Sequence, residues 1–318
     1  MKKLFIFVIV VLAFGVCLIQ PLSVFAAESG VGHYVPGAFA DFGDMAPPSG
    51  FALLNWFNYY NGSAGAGKKF PEAGLVAANL KATSYAEMLG AVYTSPYGIL
   101  DGKFAAAVII PYLWMDVKGN VTSPKTLTRS DSANGISDII LVPFWLNWTC
   151  GDFKWAVQLD VYAPTGAYNT GQLANVGFNY WTFEPMASFS WISKKIGLEI
   201  SATAGLDFNT NNNATDYQSG DVFHIDATVA EHLPFFGHGI IGIGANAFYW
   251  KQFTADSGSG AKLGSFETEM AGIGPVVSYI SPPICGHTLV AEVKWLPQID
   301  TDKTLKGDYI WFKLAFTF

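Results

Sequence analysis

The feature that most constrains this chain is an alternation of apolar and polar residues with a period of two, repeated over most of its length. In the stretch "KIGLEISATAGLDFN", residues 195–209, Ile196 and Ile200 lie on an apolar face that continues to Phe208, whereas Glu199 lies on the opposite face. Side chains alternate across a β-strand, so each such stretch predicts a strand with one apolar and one polar face. The chain is 51% hydrophobic and 15% aromatic, and these apolar faces need an apolar environment to cover them.

Twelve stretches carry this alternation and predict an all-β fold. The connections between them alternate between long polar segments, such as residues 118–134 and 297–306, and short turns. This interleaving is typical of an up-and-down antiparallel sheet, and an even strand number places both ends of the sheet on the side of the short turns. We predict an antiparallel β-barrel of about twelve strands, at residues 51–60, 75–92, 99–116, 135–149, 152–163, 178–192, 195–209, 221–233, 239–253, 265–281, 287–297 and 307–318.

The N-terminus has the pattern of a secretory signal peptide. Lys2 and Lys3 precede an apolar run over residues 4–19, and Ala26 closes a small-residue cleavage site in "SVFAAES". The run is short for a transmembrane helix, and no basic flank follows it. We therefore predict that residues 1–26 form a leader that is removed when the protein is exported.

Charge and cysteine content argue against two classes of protein. The net charge is −7 at pH 7 and becomes more negative when Lys2 and Lys3 leave with the leader, whereas a nucleic-acid-binding protein needs a basic surface. Only Cys150 and Cys285 follow the leader, too few for a disulfide framework in a chain of 318 residues. We expect no nucleic-acid partner, no cofactor and no metal site.

The length and ends of the strands favour a transmembrane barrel over a soluble one. A secreted sandwich or lipocalin-like barrel also alternates, but it turns its apolar residues inward, and the alternation by itself does not say which face is which. Many of the predicted strands exceed the ~9–11 residues that cross a bilayer at a tilt, whereas soluble strands average ~5–6. Aromatic residues also crowd the strand ends, as in the girdles of membrane barrels: Trp145, Trp148, Tyr162, Tyr180, Trp181, Trp191, Tyr249, Trp250, Trp295 and Trp311.

The last strand continues this pattern to the final residue of the chain. Ile310, Phe312, Leu314, Phe316 and Phe318 lie on one face, and a frayed polar tail would be the usual ending for a soluble chain. Lipid would bury such a face. An aromatic strand that ends in Phe also resembles the signal by which the barrel assembly machinery of the outer membrane selects its clients, so we expect that machinery and outer-membrane lipid to be partners.

Several longer motifs resemble one family over the chain from Gly32 to its end. They are "HYVPG", "NWFNYYNG", "GISDIILVP", "VYAPTGAY", "NYWTFEP", "TDYQSGDVFHID", "TADSGSGAKLG" and "GIGPVVSY". The chain resembles the outer-membrane family named for the meta-pathway of phenol degradation. That resemblance implies a barrel in the outer membrane of a Gram-negative bacterium, not an enzyme, that admits small hydrophobic, aromatic compounds by passive uptake.

The polar faces of the strands combine charged groups with aromatic rings. One interpretation is a wet lumen along which a flat apolar molecule slides, and the other is that acids and bases pair only to satisfy one another. A barrel of about twelve strands has a narrow bore, which favours selective passage. The residues predicted to line the lumen and the solute path are Lys81, Tyr85, Glu87, Lys154, Asp160, Tyr162, Tyr180, Glu184, Glu199, Asp207, His224, Asp226, Glu292 and Lys313.

The segment between the leader and the first strand, residues 27–50, belongs to no strand and is rich in Gly, Pro and aromatic residues. A loose periplasmic leader is one interpretation, but apolar side chains gain nothing from exposure to water. We therefore predict that it folds into the barrel of residues 51–318 from the short-turn side and forms a plug. Its candidate plug residues are His33, Tyr34, Pro36, Phe39 and Phe42.

Two other functions remain open at this point. A structural or adhesive barrel would have a closed lumen and external loops that bind outside the cell. A barrel hydrolase could use His224 and Asp226, which share one strand face, to activate water, but the sequence places no partner serine or carboxylate beside them.

We expect the substitution Phe318→Asp, or deletion of Phe318, to lower the amount of protein in the outer membrane while export continues. A charge near the membrane boundary costs only ~0–1 kcal/mol, so a large loss would come from failed recognition by the assembly machinery rather than from bilayer energetics. The measurement is the amount of heat-modifiable barrel in outer-membrane fractions. An unchanged amount would contradict this role of Phe318.

Overall fold

A computed structural model describes residues 30–40, 47–65, 67–122, 126–264, 266–283 and 285–318. Among the described residues, no helix is long and apolar enough to cross a membrane. The structure of this part of the chain is all-β. Its strands are β1 (Gly50–Ser63), β2 (Lys69–Glu72), β3 (Leu75–Ile99), β4 (Gly102–Thr122), β5 (Thr126–Ile136), β6 (Ile139–Cys150), β7 (Phe153–Ala163), β8 (Thr182–Ile192), β9 (Leu198–Asn209), β10 (Asn211–Asn212), β11 (Tyr217–Gln218), β12 (Val222–Pro234), β13 (Ile240–Gln252), β14 (Glu269–Ile280), β15 (Leu289–Asp302) and β16 (Lys306–Thr317).

Twelve of the described strands close into one antiparallel barrel, as predicted. The neighbour order is β1, β3, β4, β6, β7, β8, β9, β12, β13, β14, β15 and β16. β16 then pairs with β1 in an unbroken register from Ala52↔Thr317 to Ser63↔Lys306. The first and last strands of the sheet are therefore hydrogen-bonded to each other, and the barrel has no open edge.

On most strands the polar face points into the barrel and the apolar face points out. In β9, Ile200 is 44% exposed on the outside, whereas the next residue, Ser201, is 2% exposed inside. In β16, Phe312 is 48% exposed on the outside and Trp311 is fully buried. A soluble barrel has the opposite arrangement, so this orientation is that of a barrel whose outer surface meets lipid.

Two of the connections predicted to be long loops are mostly strand, and two others contain the short strands β2 and β10–β11. Residues 118–122 belong to β4 and residues 126–134 to β5, and these two strands pair from Thr122↔Thr126 to Tyr112↔Ile136. Residues 297–306 extend β15 and begin β16, which leaves a turn of only 303–305. Both strand pairs extend past the part of the barrel whose outer surface is apolar. Their strands need no apolar face there, and they carry no hydrophobic alternation.

The inward face of β3 is the opposite of the predicted one. A bulge lies between Ala78 and Lys81, and Asn79 has a positive φ of 53°. Because a bulge inserts one residue, it exchanges the two faces of the strand beyond it. Beyond the bulge the inward face of β3 is apolar, and Met88 on it belongs to the same buried cluster as Phe39. The residues that were predicted to line the lumen, Lys81, Tyr85 and Glu87, lie on the outward face, where Tyr85 is 42% exposed.

We expect arginine at two adjacent positions of β9 to have very different effects on stability. Ala202→Arg places a charge on the outward face near the middle of the strand and should cost ~2–4 kcal/mol. Ser201→Arg places the same charge in the lumen beside Glu199, whose carboxylate already accepts a hydrogen bond from Ser201, and should be tolerated. The free energy of unfolding from lipid vesicles is the measurement. Equal losses, or the reverse order, would mean that the outer surface of the barrel does not meet lipid.

Candidate functional site

The N-terminal residues 30–40 lie inside the barrel. Tyr34 is 3% exposed and belongs to the same buried cluster as Phe39 and the lumen residues Trp250 and Trp311. Gly30 lies against the carbonyl oxygen of Lys303 in the β15–β16 turn, so the segment starts near the end of the barrel that carries the long connections. Residues 30–40 therefore run through the lumen from the long-connection end toward the short-turn end, and are not confined to the short-turn end.

Asp226 on β12 binds the segment at the centre of the lumen. Its buried carboxylate accepts hydrogen bonds from the Tyr34 hydroxyl and from the backbone N–H groups of Gly37, at 3.2 Å, and Phe39, at 2.9 Å. The Tyr34 hydroxyl is therefore one of three donors to this carboxylate.

Side chains of β15 and β16 bind the carbonyl groups of the same segment. Lys294 Nζ donates to the carbonyl oxygens of Gly37, at 2.8 Å, and Phe39, at 3.0 Å. Lys313 Nζ donates to the Ala38 carbonyl at 2.7 Å. The Trp311 indole donates to the Pro36 carbonyl at 3.0 Å. The wall of the barrel thus satisfies the buried backbone of residues 36–39, as a buried polar chain requires.

The path of the segment depends on a glycine at position 37. Gly37 has a φ of +81°, in the left-handed region that favours glycine. A Cβ atom at this position would collide with the side chain of Leu296 on β15. The close approach that lets Lys294 and Asp226 bind Gly37 therefore excludes any larger residue.

His33 attaches the outer part of the segment to the wall. One ring nitrogen, Nε2, lies 2.9 Å from Asp138 Oδ2, and Nδ1 lies 2.7 Å from Thr182 Oγ1. The His33 ring stacks on Tyr162, with the ring centroids 4.8 Å apart, and meets the edge of Tyr180. Sequence reasoning missed Asp138, because it lies in the turn before β6, and Thr182, because it is the uncharged first residue of the inward face of β8.

A compact acidic cluster lies beside Tyr34. His224 Nε2 is 2.7 Å from Glu184 Oε1 and 3.6 Å from Asp207 Oδ1. The ring of Tyr34 stacks on the His224 imidazole, with the centroids 3.5 Å apart and the planes 13° from parallel. The Tyr162 hydroxyl donates to the other Glu184 oxygen at 2.6 Å. The segment therefore covers the cluster from the lumen side.

Nearer the short-turn end, other charged groups are paired within the wall. His232 Nε2 lies 2.6 Å from Glu199 Oε2. Glu292 Oε1 lies 3.3 Å from Lys294 Nζ and 3.8 Å from Lys313 Nζ. Such pairing is what a narrow lumen requires of charges that are largely removed from water.

The long connections bond to one another at the mouth of the barrel. Lys262 Nζ, after β13, donates to the Gly74 carbonyl at 2.7 Å. The Gly171 N–H, after β7, donates to the Ala73 carbonyl at 2.7 Å, and Arg129 Nη1 of β5 donates to the Gly171 carbonyl at 2.6 Å. These contacts join connections from several parts of the sequence over the long-loop end.

The family comparison agrees with this architecture. The model of the family described as "Putative MetA-pathway of phenol degradation" matches residues 65–314, most of the chain. The chain belongs to this family. The resemblance predicted from the motifs is therefore confirmed.

Structural comparisons show the same kind of barrel for this family member. An outer membrane channel from Pseudomonas putida F1 matches with a TM-score of 0.58 and 14% identity, covering 87% of this chain and 99% of that chain. The β domain of the Bordetella autotransporter BrkA matches with a TM-score of 0.49 and 10% identity, covering 85% of this chain and 100% of that one. The comparison with curated proteins finds no match. The likeness to the Pseudomonas channel shows a shared fold.

The contacts of this family member do not support the hydrolase interpretation. Asp226 is bound by Tyr34, Gly37 and Phe39, whereas the closest carboxylate to His224 is that of Glu184. An Asp–His pair that activates water would need the two side chains to be hydrogen-bonded to each other.

The structure places most, but not all, of the predicted site residues inside. Lys81, Tyr85 and Glu87 lie outside the lumen, as described above. Phe42 and residues 1–29, with the predicted signal peptide, lie outside the described residues. The role of the inward residues in a solute path stays a prediction; they are Lys154, Asp160, Tyr162, Tyr180, Glu184, Glu199, Asp207, His224, Asp226, Glu292 and Lys313.

We expect Asp226→Asn to loosen the segment, because hydrogen bonds to a charged acceptor are stronger than those to a neutral amide. The protection of the Gly37 and Phe39 amides against hydrogen exchange should fall about tenfold. Tyr34→Phe is the matched control, since it removes one donor and leaves the Asp226 bonds to both amides in place. The same exchange at both amides in wild type and Asp226→Asn would contradict the role of Asp226.

Proposed function

We propose that this protein is an outer-membrane channel for the passive uptake of small hydrophobic, aromatic compounds, and that its N-terminal segment is a displaceable plug. Membership of the phenol-degradation family and the fold shared with an outer membrane channel support a channel. Residues 30–40 inside the lumen support a plug. The domain organisation that we propose is a signal peptide over residues 1–26, a plug segment over 27–50 and a barrel over 51–318.

The outer surface supports a location in the outer membrane of a Gram-negative bacterium. Its exposed side chains include Leu89, Ile200, Val229, Ile243 and Phe312 on strands around the barrel. An apolar surface of this extent would be unfavourable in water, whereas a barrel that spans a lipid bilayer requires it. Export through the predicted leader and assembly through Phe318 complete this proposal.

The observation that supports an aromatic solute is the stacking of rings of the segment on rings of the barrel wall. His33 stacks on Tyr162, Tyr34 stacks on His224, and Phe39 meets the edge of Trp56 with the ring centroids 5.9 Å apart. Each of these pairs joins a ring of the segment to a ring of the barrel. A flat apolar solute can replace the segment's ring in each pair, because stacking and edge contacts require only a π-face and a similar size.

The structural or adhesive alternative also has an observation in its favour. The segment is bound by Asp226, Lys294 and Lys313, and the connections at the mouth bond to one another. A barrel that never opens would show the same contacts. The two functions differ in whether the segment leaves the lumen, and an experiment on the segment therefore separates them.

We expect deletion of residues 30–46 to raise single-channel conductance in planar bilayers and to admit sugars that the intact protein excludes. The reason is that the lumen would lose residues 30–40, whose rings and backbone now occupy it. Heat-modifiability of the deletion variant is the control for correct insertion. An inserted deletion variant with unchanged conductance would mean that the segment does not restrict passage.

The solute class needs a second measurement, which is uptake by intact cells that express the wild-type protein or an empty vector. Radiolabelled toluene should enter faster with the protein than without it, whereas a sugar should enter at the same rate in both. Equal toluene uptake in the two strains, with the barrel present in the outer membrane, would favour the structural alternative.

A further inference from the structure

Three potential metal ligands converge in the wall of the barrel. Glu184 of β8, Asp207 of β9 and His224 of β12 lie on adjacent strands, and one ligand atom from each lies within 4.8 Å of the other two. All three side chains are at most 1% exposed. The pairing of these strands, rather than a flexible loop, sets the separation of the three groups.

The charges of this cluster are unbalanced. Asp160, also buried, adds a third carboxyl group near Glu184 and Asp207, and its nearest hydrogen-bond donor is the neutral amide of Gln158, at 3.0 Å. Even a protonated His224 offsets only one of these charges. Buried carboxylates need a counter-charge, and a divalent cation would supply the two positive charges that the cluster lacks.

The hydrogen bonding of the cluster is a second, independent observation. Several polar atoms of Asp207 and His224 have no hydrogen-bond partner among the described atoms, although both side chains are buried. The 2.7 Å contact between His224 Nε2 and Glu184 Oε1 lies within ion-pair distance, so the groups that lack a hydrogen-bond partner are the Asp207 carboxylate and Nδ1 of His224. Buried polar atoms nearly always have a hydrogen-bond partner. Several buried polar atoms that lie together without one therefore indicate a binding site for a common ligand.

We propose that Glu184, Asp207 and His224 form a binding site for a divalent transition-metal ion of the Zn²⁺ class. One imidazole and two carboxylates are a common donor set for such ions. The 2.7 Å and 3.6 Å separations of His224 from the two acids bracket the ~3.0–3.5 Å between neighbouring ligand atoms that bond lengths of ~2.0–2.2 Å imply. This proposal departs from the expectation that the chain has no metal site, and it does not depend on the proposed transport.

The surroundings of the site fit a structural role for the ion. The Tyr162 hydroxyl holds the second Glu184 oxygen, and the stacked Tyr34 ring fixes the plane of the His224 imidazole. Such outer contacts commonly orient metal ligands. The ion would join β8, β9 and β12 directly behind the segment, so that Tyr34 packs on a metal-bound imidazole.

The test is Zn²⁺ binding to the full chain, folded in detergent and freed of metal with a chelator. We expect wild type to bind about one Zn²⁺ per chain, and Asp207→Asn and His224→Gln each to weaken that binding at least tenfold. His232→Gln is the matched control, because His232 also contacts a buried carboxylate, Glu199, without a third ligand. This variant should bind Zn²⁺ as wild type does.

A second measurement keeps the proposal testable if a ligand variant fails to fold. X-ray absorption of the wild-type Zn²⁺ complex should show imidazole and carboxylate scattering in the first coordination shell. Zn²⁺ binding equal in wild type, Asp207→Asn and His224→Gln, or a wild-type complex without imidazole scattering, would overturn the proposal. Wild type that binds no Zn²⁺ would also overturn it and would mean that protons alone balance the cluster.

Discussion

The hydrogen-bonded closure of β16 onto β1 is the constraint on which the rest of the structure depends. In lipid, an unpaired backbone N–H or C=O group costs several kcal/mol, so a spanning sheet must leave no edge. The unbroken register between β1 and β16 meets this condition. Once the sheet is closed, every side chain of a spanning strand faces either lipid or a narrow interior. Successive residues of the strand therefore alternate between these two environments.

The interior then has to satisfy the polar groups that closure turns inward. Acids and lysines in a bore of this size have little water, and they need partners with good geometry. Part of the solution is pairing within the wall, as between Glu199 and His232. The other part is the N-terminal segment, whose backbone gives donors to Asp226 and acceptors to Lys294 and Lys313.

This arrangement separates two kinds of contact between the segment and the wall. The backbone contacts depend on position, and Gly37 is the one residue whose identity they require. The ring contacts of His33, Tyr34 and Phe39 depend instead on shape and π-surface, and an aromatic molecule offers the same properties. In the function that we propose, the backbone contacts stabilise the closed lumen, and the ring contacts are the ones that an aromatic solute would replace.

The sequence by itself determined the all-β class, the twelve spanning strands and which residues share one face of a strand. These properties follow from local periodicity, which every strand carries within its own dozen residues. The family was also recognisable, because its motifs are continuous stretches. The errors lie in the β4–β5 pair, whose strands need no apolar face, and in β3, whose apolar face packs inside the barrel while its polar face points outward.

Only the tertiary structure decided which face is inside and what fills the barrel. Alternation is symmetric, so it cannot distinguish an apolar interior from an apolar exterior, whereas closure shows Ser201 enclosed and Ile200 exposed. The contacts of the site join residues that are far apart in the chain, such as Tyr34 and Asp226, or His33 and Asp138. No local pattern encodes such a pair, because the distance between its members is set by strand order and register around the whole barrel.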